Sequence, residues 1–419
     1  MARSFRLRSV LWEAACWLFV LVYGGLPGRA ETPSSVEGIY SGTIGREAVV
    51  LELEGVAKSE HGENYGDPSD HRTYPINGFY FYRRHGVSIE LVGTPMSDGS
   101  LRLREYRQVV EYEFTAEWRI TIRDDTAEGT FCKCDLSKTS DSGKPRLPIR
   151  LKRLSHALPE DTWEEYKPHA GDIYYDLLLD FPLDQGPEIE VNREIAYRMW
   201  TDTRFGVGRP KLTRFPDARV MARINIDLFA EFTQSRLWTA GCLSAGQHTG
   251  AFGGSYDETA SVVAFPPDIL SVVVERSWYC GAVHGDASAY GLNYNLHTGR
   301  RFSLDHSFQT ATGSTGEREL ATLFAKLYKR HYVKPTGPVA PQDCDVILRR
   351  ITSDDKQLID SFSPGNATFF MVREGLVIIP TFLYADSGCG PDVTIPYGEL
   401  RPFVKKDSML RLLVDSQPN

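Results

Sequence analysis

Between residues 38 and 154 the chain repeats one short apolar-alternating segment after another, and few folds accept such a run. Leu101-Arg102-Leu103-Arg104-Glu105 alternates strictly, as does Trp118-Arg119-Ile120-Thr121-Ile122. Residues 38–44, 49–53, 78–82, 87–92, 129–131 and 147–151 add further segments of the same kind. Successive side chains of a strand point to opposite faces, so a period of two predicts strands with one buried face. Turn signals such as Ser97-Asp98-Gly99-Ser100 separate them. The spacing predicts an antiparallel all-β domain over residues 31–154, a small barrel or a sandwich. Its aromatic pairs read as core and cross-strand packing rather than a ligand platform. Residues 57–72, rich in Gly, Asp, Asn and His, predict a loop.

Residues 1–30 read as a secretory signal peptide. Arg3, Arg6 and Arg8 form a positive start, residues 14–26 an apolar run, and Gly28-Arg29-Ala30 a cleavage site. The run is about 13 residues and a spanning helix needs about 20, so no membrane span is expected in the mature chain. The chain carries a formal net charge of −8. Cleavage would remove four arginines and one glutamate, leaving the mature chain near −11. That balance argues against nucleic acid, whose phosphates demand clustered Lys and Arg. Periplasmic or extracellular residence is therefore expected.

Six cysteines follow the leader: Cys132, Cys134, Cys242, Cys280, Cys344 and Cys389. An even count in an exported chain points to disulfides. The expected pairs are Cys242–Cys280 and Cys344–Cys389. Cys132 and Cys134 are left over, because a bond across one intervening residue of a strand would be strained.

Residues 155–171, with Pro159, Pro168, Trp163 and Tyr166 among charges, predict a linker. An α+β domain is expected over residues 172–405 and a tail over 406–419. Residues 173–181 read as a strand, residues 187–203 as a helix, and residues 219–231 as a strand. In the last of these Val220, Ala222, Ile224, Ile226 and Leu228 alternate. Residues 261–265 and 270–274 add strands. The stretch 278–304 reads as a hairpin-like unit with a tight turn at His284-Gly285, a strand over 290–296 and a turn at His297-Thr298-Gly299-Arg300. Residues 315–332 predict an amphipathic helix, and residues 341–360 shorter ones. Residues 369–382 predict a hairpin, 385–391 a loop and 393–397 a last strand. The whole is α+β, with an antiparallel sheet and two or more packed helices in its second part.

Several short motifs lie in a fixed order: Gly281-Ala282-Val283-His284-Gly285, Asn293-Tyr294-Asn295-Leu296, Phe302-Ser303-Leu304-Asp305-His306-Ser307-Phe308, and Val393-Thr394-Ile395-Pro396-Tyr397-Gly398-Glu399-Leu400. With Asp180-Phe181-Pro182 and Val191-Asn192-Arg193-Glu194-Ile195 before them, residues 172–403 resemble the RsiV-like domain of unknown function, which also accompanies PdaC-type polysaccharide deacetylases. The resemblance implies an extracytoplasmic α+β binding module. In the RsiV-type anti-sigma factors it captures lysozyme, and in the PdaC-type enzymes a separate metal-dependent domain does the catalysis. No such catalytic domain, and no cytoplasmic sigma-binding segment, is legible here.

His284, between Gly281 and Gly285, is the most tempting single residue: on an exposed turn its imidazole suits proton transfer. The plainer reading has its ring fixing the turn through a backbone carbonyl. His284, Asp286, His297, Asp305 and His306 are ligand-type residues without any compact metal spacing. Tyr384, Asp386 and Cys389 share a loop that is expected to approach His284, making His284, Tyr384 and Asp386 the binding candidates and His284 and Asp286 the weak catalytic ones. There is no P-loop, dinucleotide fingerprint, H-E-x-x-H or G-x-S-x-G motif. No cofactor or metal is expected. The sequence thus predicts an exported, non-catalytic envelope binding protein, with a lysozyme-like enzyme or peptidoglycan as partner. The alternative is an envelope hydrolase with a His284-centred, metal-dependent site.

Overall fold

Strands β1 (Gly38–Ile44), β2 (Glu47–Gly55), β3 (Ile76–Tyr82), β4 (Ile89–Pro95), β5 (Leu101–Gln108), β6 (Tyr112–Arg123), β7 (Thr126–Cys132) and β8 (Leu147–Ser155) follow one another in a meander. Each pairs antiparallel with the next, and β8 returns to β1, so the structure closes into a barrel. The structure is a computed structural model. It describes residues 36–55, 76–108, 112–134, 145–155, 173–249, 253–265, 268–281, 284–310, 314–332, 355–362, 367–380 and 392–416.

Alternation is what fills this barrel. Tyr40, Leu51, Tyr80, Leu103, Trp118, Phe131 and Leu151 point inward and pack on one another. Tyr80 and Phe131 meet the Trp118 ring edge-on at centroid distances of 4.7 and 5.8 Å. The residues beside three of these, Ile39, Val50 and Phe81, point outward yet are also buried. They belong to a second core, shared with Tyr174, Leu178, Phe205, Val207 and Phe232 of the following segment. Burying one such side chain is worth roughly 1.5–3 kcal/mol. A patch of the barrel's outer wall thus packs against the second half. The expected linker, residues 155–171, lies almost wholly outside the described residues.

The second half begins with helix α1 (Ile173–Leu179), where a strand is expected. Tyr174 and Leu178, four apart, are its buried residues, so a period of four wins over the alternating Tyr and Leu. Residues 187–203 are also corrected, from helix to strands. β9 (Asp184–Gln185), β10 (Ile189–Glu190), β11 (Ala196–Asp202) and β12 (Val207–Arg214) form a four-stranded sheet around β11. The helix is pre-empted by Asn192, whose Oδ1 accepts from the backbone N–H of Glu194 and Ile195 at 2.9 and 2.8 Å and turns the chain.

The segment expected as a strand over 219–231 lies inside α2 (Ala218–Thr249), a helix of 32 residues. Val220, Ile224, Leu228 and Phe232, each four apart, are buried. Ala222 and Ile226, which completed the alternation, are left exposed, Ile226 at 72%. The buried row packs on Ile195, Leu212, Leu270, Val272, Leu292 and Tyr294.

Strands β13 (Ser255–Phe265), β14 (Ile269–Tyr279) and β15 (Asp286–Asn295) form the next antiparallel sheet. The expected strands over 261–265, 270–274 and 290–296 lie on it, and the turn after β15 carries Gly299 at φ +67°. Helices α3 (Ser314–His331) and α4 (Asp355–Asp360), strands β16 (Ala367–Val372), β17 (Gly375–Pro380) and β18 (Val393–Pro396), and helices α5 (Tyr397–Leu400) and α6 (Met409–Ser416) complete the chain. Their shared core includes Phe324, Tyr328, Met371, Ile378, Ile395 and Leu413. The fold is α+β throughout its second half.

Cys242 on α2 is bonded to Cys280 just after β14. Cys132 and Cys134, left unpaired by the sequence reading, are joined to each other in the structure, where Cys134 lies just past the end of β7. Cys344 and Cys389 lie outside the described residues. Among the described residues no helix is long and apolar enough to cross a membrane.

Candidate functional site

The open side of β12 and the flank of α2 bound an apolar groove of about 390 Å³. β12 is the last strand of its sheet, and Pro210, which has no N–H to offer a further strand, sits on it. One wall is Trp200, Pro210 and Lys211; the other is Ile226, Phe229 and Phe232. Phe229 is 46% exposed and meets Trp200 edge-on at 6.1 Å. Lys211 places its Nζ 3.8 Å above the Trp200 ring, a cation–π contact that fixes the indole as a wall. Ile226 and Phe229, turned to water beside the Trp200 indole, are unlike singly scattered surface apolars, and such patches mark interaction surfaces.

The groove has an ionic floor. Arg209 lines it and is buried. The Arg209 Nη1 donates to Glu258 and to the Gly208 carbonyl, and its Nη2 donates to Ser235 Oγ at 2.7 Å and to the Tyr290 hydroxyl at 3.1 Å. Tyr256 donates to the other Glu258 oxygen at 2.8 Å. Burial, then the Glu258 carboxylate, push the Tyr256 hydroxyl well above its ordinary value, so it stays a donor. Of the Arg209 nitrogens, Nε has no partner among the described residues. A buried N–H without an acceptor is costly, and this one belongs to a residue of the groove.

A second ionic knot holds the groove to the barrel. Asp202, at the end of β11, accepts from Arg204 Nη2 and from Arg236 Nε, both at 2.7 Å. The same guanidiniums donate to the Leu178 and Leu179 carbonyls, and Arg204 also donates to the Arg83 carbonyl beside the barrel. Burial pushes the Asp202 carboxyl up, but Arg204 and Arg236 outweigh it and hold the group below its usual range.

The residues singled out from sequence lie elsewhere. His284 is exposed on the β14–β15 turn, with Nδ1 3.3 Å from the Gly285 carbonyl. Asp286 is exposed and accepts from the Ala287 N–H at 2.7 Å. Tyr384 and Asp386 fall outside the described residues. His297 is paired with Asp268 at 2.9 Å. Among the described residues no three His, Cys, Asp or Glu side chains gather in a metal-binding group. Trp200, Lys211, Ile226 and Phe229 are not among the binding candidates that the sequence offers. A helical period over 218–249 is the signal that leaves Ile226 and Phe229 on one open face.

Barrel, sheets and groove define an α+β protein with a helix-walled apolar groove. No protein-family model matches the chain, and no curated protein matches it. Among solved structures it is similar to a member of the DUF3298 family from Bacteroides fragilis, at 14% identity and a TM-score of 0.34, over 56% of this chain and 98% of that one. It is also similar to a DUF3298 family protein from Pseudomonas aeruginosa, at 15% identity and a TM-score of 0.29, over 55% of this chain and 98% of that one. Scores this low do not establish a common fold, and the functional reading rests on the chain's own residues.

Proposed function

We propose that this chain is an exported, non-catalytic binding protein of the cell envelope, and that its groove takes an apolar side chain presented by a cell-wall enzyme of the lysozyme kind. The observation that carries the proposal is the solvent-facing pair Ile226 and Phe229 beside Trp200. An anchor side chain fills the apolar walls, as buried anchors do at the centre of interfaces. The lining favours a protein over peptidoglycan, because sugars call for more polar walls than these. A net charge of −8, near −11 once the expected leader is removed, favours a basic partner through steering. The Cys242–Cys280 bond supports an oxidising compartment.

Purified lysozyme and purified peptidoglycan, each titrated against the wild-type chain and His284→Ala, test this against a His284-centred hydrolase. Retained lysozyme binding in His284→Ala, without turnover of peptidoglycan by either protein, is the expected result. Peptidoglycan turnover that vanishes in His284→Ala would overturn it, as would a wild-type chain that binds no lysozyme.

A further inference from the structure

We propose that a second hollow, between the first turn of α2 and the turn after β15, binds an oxyanion: the phosphate or carboxylate group of an anionic ligand. The hollow measures about 380 Å³ and is lined by Arg219, Val220, Arg223, His297, Thr298 and Arg300. Three arginines and a histidine thus line one concavity in a chain whose net charge is −8. Among the described residues the Arg219 and Arg300 guanidiniums have no carboxylate partner. Gathered like charges repel, and an oxyanion that accepts from two planar guanidiniums relieves that repulsion with directed hydrogen bonds.

The hollow is held in shape without a ligand. Arg223 Nη1 donates to the Thr298 carbonyl at 2.6 Å and ties turn to helix. Gly299 lies so close to α2 that a Cβ there would sit 2.9 Å from the Val220 carbonyl oxygen. His297 is steadied by Asp268. Asp217 already accepts from the backbone N–H of Arg219 and Val220, at 2.7 and 3.2 Å. The helix start is therefore occupied by the chain's own carboxylate, and the site consists of side chains. It lies one turn along α2 from Ile226 and does not depend on what fills the groove.

Calorimetric titration of the full chain with inorganic pyrophosphate and with tricarballylate, a phosphate-free polycarboxylate, tests the proposal. Arg219→Gln/Arg300→Gln is the matched variant; both residues are exposed, so the fold is expected to survive, as read by circular dichroism. Pyrophosphate should bind one to one, more weakly at high salt and at least about tenfold more weakly in the double variant. Tricarballylate binding as tightly as pyrophosphate would mark a carboxylate ligand; pyrophosphate binding alone would mark a phosphate. Should the double variant not fold, Arg300→Gln alone, on the turn, should lose about threefold. Failure of the wild-type chain to bind either probe, or equal affinity in the variant, overturns the proposal.

Discussion

The side-chain amide of Asn225 meets both backbone polar groups of Leu212. Its Oδ1 accepts from the Leu212 N–H at 2.8 Å, and its Nδ2 donates to the Leu212 carbonyl at 2.9 Å. One side chain on α2 thereby stands in for a missing strand on the open side of β12, and it fixes the helix at the distance that leaves the groove beside it. Asn225→Ala removes both bonds and should cost about 2 kcal/mol in chemical denaturation. Hydrogen exchange at Leu212 should quicken more than at strand interiors.

Asp202 joins α1, α2 and the barrel side through Arg204 and Arg236. Removing one partner of a buried ionic knot strands the others, so Asp202→Asn should destabilise by about 3–5 kcal/mol. The pH dependence has a definite sign. The folded carboxyl titrates below its ordinary value near 4, so its contribution is complete above about pH 4 and is lost as pH falls through the lower folded value. Thermal melts of Asp202→Asn should show a shallower acid limb than wild type.

Gly299 has φ +67° and no room for a Cβ beside the Val220 carbonyl. Gly299→Ala should cost about 1–2 kcal/mol from the backbone alone. It should also loosen the Arg223–Thr298 bond, visible as weaker pyrophosphate binding.

The Cys242–Cys280 bond closes a separation of 38 residues. Chain-entropy reasoning gives about 4 kcal/mol for a loop of that length. Cys242→Ser/Cys280→Ser should lower the denaturation midpoint correspondingly, and added reductant should move the wild-type midpoint down toward that of the variant.

The barrel was legible in sequence because its strands bury one face, and Leu101-Arg102-Leu103-Arg104 announces that directly. The sequence could not separate barrel from sandwich, since both ask for the same alternation. α2 was hidden for a physical reason. Val220, Ala222, Ile224, Ile226 and Leu228 satisfy periods of two and of four at once, and only tertiary packing on Leu270 and Leu292 selects the second. The groove was hidden with it, because Ile226 reads as core on a strand and as open surface on a helix. Residues 189–200 misled in the opposite direction: apolar residues spaced for a helix face were cut by the Asn192 turn.

Ile226 and Phe229 form the proposed binding surface. Its most direct test is the dissociation constant for purified lysozyme of wild type beside Ile226→Asp, a change at a residue 72% exposed and so of little consequence for folding. A weakening of at least about tenfold, or roughly 1.4 kcal/mol, with an unchanged melting temperature is expected. Equal affinity in the two proteins would contradict it.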